Sequence, residues 1–139
     1  MSRTKLELEL SPTGIVRNAG VHDGTLSEVN VGIAAEIQNG SIRFNSEEGI
    51  KFLLLLEGIS LFNISYLGTQ NVINDLFILN ALNAVEVVKQ IVGLEENSFH
   101  TYKEVSDGIK SGALTLVKIV PSIGAEIACI CKSAKIYVE

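Results

Sequence analysis

Residues 28 to 44 constrain the fold of this chain more than any other stretch. Val29, Val31, Ile33, Ala35 and Ile37 alternate with polar or small residues, Asn39-Gly40 follows, and Ile42 and Phe44 resume the alternation. A period of two gives a strand one buried face. Asn-Gly between two such runs is the preferred two-residue hairpin turn, because both of its central residues must take positive φ. A hairpin pivoting on Asn39-Gly40 is therefore expected.

The flanking segments carry weaker signals of the same kind. Residues 4 to 10 alternate and end in Ser11-Pro12-Thr13-Gly14, which predicts a first strand closed by a turn. Residues 15 to 27, with Asn18, Gly20, His22, Asp23 and Gly24, read as the longest irregular segment. Ser46 followed by Glu47 and Glu48 resembles a helix N-cap, and Gly58 a C-cap, so residues 46–57 are expected to be helical although the apolar run between them fits a strand as well. Ile59 to Tyr66 reads as a strand, and hairpin strand, helix and strand together would make a crossover unit with two parallel strands.

Gln70 to Val92 gives the longest helical pattern, with Ile73, Phe77, Ala81, Ala84, Val88 and Ile91 on one side. That apolar arc is wider than packing on a sheet alone requires, which points to a subunit interface through Phe77, Val88 and Ile91. Tyr102, Val105 and Ile109 predict a short helix ending at Gly112, residues 113–120 a strand stopped by Pro121, and residues 125–131 and 135–138 two further strands. The resulting expectation is a single α+β domain over residues 1–139. Its mainly antiparallel or mixed sheet would have about five or six strands, with two or three helices mostly on one face.

Composition narrows the class. A chain of 139 residues can bury a core without staples. Apolar residues make up 47% and charged residues 19%, with mean hydropathy +0.33, so part of the apolar surface is expected to meet a partner chain in a homo-oligomer. The net charge of −5 and the scattering of the 11 Lys and Arg argue against nucleic-acid binding. No apolar run approaches the ~20 residues of a membrane span. The N-terminus alternates with charge where a signal peptide would be continuously apolar, so a cytoplasmic protein is expected. Cys129 and Cys131 stand too close in sequence for an ordinary disulfide and have no second pair to complete a zinc site.

Candidate sites are few. His22-Asp23-Gly24 is the one place where an imidazole and a carboxylate sit together on an expected loop, a combination able to serve as base, acid or ligand. The acid pairs Glu47-Glu48 and Glu95-Glu96 are adjacent and diverge, and no glycine spacing builds a phosphate cradle. No catalytic motif, cofactor or metal is indicated. Two readings follow: a non-catalytic homo-oligomeric assembly or partner-binding module, or a small-molecule-binding domain or modest enzyme with a pocket near the 18–25 loop, using His22 and Asp23. The run from Val31 to Gly68, taken as strand, helix and strand ending in glycine, resembles half of a bacterial microcompartment shell domain. The likeness covers under a third of the chain, and the strand hairpin that should follow Gly68 is missing.

Overall fold

Short apolar runs punctuated by glycine turns fold here as strands almost throughout. The structure is a computed structural model and describes residues 3–32, 38–80 and 102–139. In chain order the elements are β1 (Thr4–Lys5), β2 (Thr25–Val31), β3 (Gly40–Asn45), β4 (Lys51–Glu57), β5 (Leu61–Ser65), β6 (Val72–Leu79), α1 (Tyr102–Ser111), β7 (Thr115–Ile123), β8 (Glu126–Cys131) and β9 (Ser133–Val138). All strand pairings are antiparallel, in the order β1-β9-β4-β3-β2-β6-β7-β8-β5.

One residue, Lys132, separates β8 from β9, yet these strands stand second from opposite edges of the sheet. The sheet must therefore roll back on itself. The bend lies in a long ribbon: β4 pairs with β9 from Phe52↔Val138 to Glu57↔Ser133, and β5 pairs with β8 from Leu61↔Ile130 to Ser65↔Glu126. Between these ladders Gly58, Ile59 and Ser60 oppose only Cys131 and Lys132, and an extra residue on one strand is what bends a ribbon. Gly58 takes φ 66 at the corner, and Lys132 N–H donates to the Glu57 carbonyl at 2.8 Å.

The inside of the roll is one apolar cluster drawn from both halves, with Ile42, Phe44, Phe52, Leu54 and Ile136 meeting Leu76, Ile78, Val117, Ile119 and Ile127. Phe44 and Phe52, paired in register, stack with ring centroids 5.2 Å apart. On the outer face Leu79, Leu116 and Ile130 are covered by Val105 and Ile109 of α1. No helix among the described residues is long and apolar enough to cross a membrane.

This architecture corrects the expected α+β class of five or six strands with two or three helices: nine antiparallel strands accompany a single short helix among the described residues. Residues 46–50 form a hairpin loop. Ser46 N–H donates to the Ile50 carbonyl at 2.8 Å, Ser46 Oγ accepts from Ile50 N–H at 3.1 Å, and Gly49 takes φ 88. The apolar run after it is β4, a strand flanked by β3 and β9, which explains why Leu53 is buried on the face opposite Phe52 and Leu54. With no helix over residues 46–57 and no parallel pairing among the described residues, the strand-helix-strand likeness to a microcompartment shell domain falls away.

Within the expected helix 70–92, residues 72–79 are β6, and residues 81–92 lie outside the described residues. The β2–β3 hairpin exists, but Gly40 pairs with Val31 inside it, so the connection is longer than Asn39-Gly40; residues 33–37 lie outside the described residues. Asn39 instead accepts Gly58 N–H at 3.1 Å through its side chain. The first strand is shorter than its alternation, with only Thr4 and Lys5 in ladder with β9.

The C-terminal expectations fare better. The helix over 102–111 ends at Gly112 with φ 85, and β7, β8 and β9 fall where alternation placed them. Pro121 does not stop β7; it lies opposite Ile73, where the ladder is irregular.

Candidate functional site

The irregular segment before β2 is stitched to β6 by backbone bonds: Val16 N–H to the Leu76 carbonyl, Asp23 N–H to the Ile73 carbonyl, both at 2.9 Å, and Ile73 N–H to the Gly24 carbonyl at 2.8 Å. Ala19 and Val21 enter the core and turn the intervening side chains outward. His22 and Asp23 are thereby brought together at the surface. His22 Nδ1–H donates to the Asn74 carbonyl at 3.0 Å, and Nε2 lies 3.6 Å from Asp23 Oδ2. The two side chains are 70% and 50% exposed, so water screens the pair.

The Asn74 carbonyl, helped by Asp23, raises the His22 pKa above its ordinary value of 6.5. A raised folded value means that the charged ring favours folding below about 6.5 and that this contribution is lost as pH climbs through the folded pKa. Titration of the His22 ring by NMR is expected to show the raised value in the native protein and a lower one in Asp23→Asn. An unchanged midpoint in that variant would remove Asp23 from the account.

A cleft of about 290 Å³ opens beside His22, lined by Asn18, Ser46, Glu47, Glu48 and Phe52 among others. Its acids come from the β3–β4 hairpin loop and its imidazole from the loop before β2. Among the described residues no group of three His, Cys, Asp or Glu could hold a metal ion. Cys129 and Cys131 are free, buried thiols on the core side of β8, where the neighbouring sulfur and burial push the Cys129 thiol well up. Phe77 lies half-buried on β6 against the cluster under α1, and Val88 and Ile91 lie outside the described residues.

A second surface escaped the sequence reading. Tyr66, directly after β5, is 80% exposed and takes φ 62, and Leu67 beside it is 62% exposed. A tyrosine in the left-handed region is uncommon and persists where its surroundings enforce it. The loop that follows it is clamped by Asn71, whose side chain accepts Gly68 N–H at 3.2 Å, donates to the Gly68 carbonyl at 2.9 Å and accepts Ala125 N–H at 3.0 Å. The last bond ties this loop to the β7–β8 turn, where Ile123 is 50% exposed. The signal available in the sequence was Tyr66-Leu67-Gly68, two large apolar side chains on a turn where polar residues are usual. No protein-family model, no curated protein and no solved structure matches this chain.

Proposed function

We propose that the chain is a non-catalytic assembly module that meets further copies of itself, or a partner chain, through the end of the roll carrying Tyr66, Leu67 and Ile123. The observation that supports this is large apolar side chains held out in water on a loop that Asn71 fixes to its neighbour. Apolar area on a loop already ordered loses little conformational entropy on association, and tyrosine is enriched where interfaces concentrate their binding energy.

Light scattering coupled to size exclusion tests it. The protein is expected to run as a multiple of 15.0 kDa that added salt does not dissociate, and Tyr66→Ser/Leu67→Ser is expected to lower that mass, to melt cooperatively, and to lose the concentration dependence of the melting temperature that an assembly confers. A wild-type mass of 15.0 kDa across a tenfold concentration range would overturn self-assembly.

The cleft beside His22 favours a second reading, a small-molecule pocket over the 18–25 loop with His22 and Asp23 as its polar groups. Under it His22→Ala abolishes ligand binding in a screen and leaves assembly intact; a variant that retains every ligand the wild type binds would dismiss it.

A further inference from the structure

Another cleft, of about 440 Å³, lies elsewhere, between the chain leaving β1, the start of β9, the end of β6 and the start of β7. Its chemistry runs against that of the whole protein. The chain carries −5, yet Lys5, Lys132 and Lys135 all line this cleft against the single acid Glu7. Two of these cations are held in place. Lys135 Nζ lies 3.5 Å from Glu57 Oε1. The Lys132 stem rests on Gly58, where a Cβ would meet Lys132 Cγ at 2.7 Å, so the corner glycine both takes a left-handed φ and leaves room for that stem.

The rest of the lining is mixed: Asn80, Thr115 and Ser133 are polar, while Leu6, Leu8 and Leu10 are half-buried, pack on the core cluster and reach the cleft with Ile78. Lysines and aliphatic side chains lining one cleft suit a ligand that has both characters. A volume near 440 Å³ is within the usual range for small-molecule sites.

We propose that this cleft binds a small anionic amphiphile. Its carboxylate or phosphate head pairs with Lys5, Lys132 and Lys135, and its alkyl chain lies along Leu6, Leu8, Leu10 and Ile78. Lys132, with its stem packed on Gly58, needs less ordering when the head arrives than a lysine on an open surface. The inference is independent of the assembly reading, whose surface lies around Tyr66.

Isothermal titration with dodecanoate, dodecyl phosphate, inorganic phosphate and dodecyl maltoside, each below its micelle concentration, tests it on the full chain. Either anionic amphiphile, or both, is expected to bind, and the better ligand tells a fatty-acid site from a phosphate-ester site. Inorganic phosphate should bind at least about tenfold more weakly. Lys5→Glu/Lys135→Glu is expected to lower amphiphile affinity about tenfold or more, and Lys5→Arg/Lys135→Arg to retain it, with melting curves establishing that both fold. Equal binding of the neutral detergent, unchanged affinity in the charge-reversed variant, or no binding of either anionic amphiphile would overturn the proposal.

Discussion

Phe44→Ala is expected to cost about 3–5 kcal/mol in a urea unfolding experiment. Phe44 is 1% exposed, sits on the central strand pair β3–β4 and stacks on Phe52, its cross-strand partner. Truncation removes the transfer free energy of the ring, its stacking contact and the packing of neighbours that cannot collapse into the space. A domain of this size has roughly 5–15 kcal/mol in total, so the variant should lose about a fifth of its stability or more. A loss below about 1 kcal/mol would mean that the two halves of the roll are not packed as one core.

The second large effect is expected at Gly124, and its size is best read against Gly49. Both glycines take left-handed φ, 86 and 88, so alanine at either incurs the backbone strain of about 1–2 kcal/mol. At Gly49 a Cβ meets nothing within 4 Å, and the strain is the whole cost. At Gly124 it would run into Asn71 Oδ1 and the Gln70 carbonyl, displacing the side chain that ties Gly68 to Ala125. Each hydrogen bond lost there adds about 1 kcal/mol, which brings Gly124→Ala to about 3–4 kcal/mol. Equal unfolding free energies for the two variants would show that the Asn71 clamp does not constrain the turn.

What the sequence disclosed and what it hid follow from particular residues. Alternation located β8 and β9, and the Tyr102, Val105 and Ile109 spacing located α1, because these elements keep a regular period along their length. β6 does not. Register shifts near Asn74 leave Ile73 and Leu76 both facing the core, three residues apart, a spacing that a helix also produces. β4 misled in another way: a central strand buried on both faces loses its alternation, and Ser46 with its following acids serves a hairpin loop as well as it would a helix start. His22 and Asp23 were legible as neighbours, but their partner, the Asn74 carbonyl, comes from across the fold. The lysine-lined cleft and the Asn71 clamp were invisible for the same reason, since each joins residues far apart in the chain.

The bent ribbon also sets the order of events in folding. Phe52 and Val138 close one end of it across more than half the chain, whereas the β2–β3–β4 and β7–β8 meanders pair with near neighbours. Loop-closure entropy opposes the distant pairing until both meanders offer it a surface. β9 is therefore expected to zip in last, on the millisecond-to-second scale of non-local β folds. A nascent chain still lacking β9 keeps the edge of β4 open and its Leu-rich run unpaired on that side, which makes β9 a protection against aggregation.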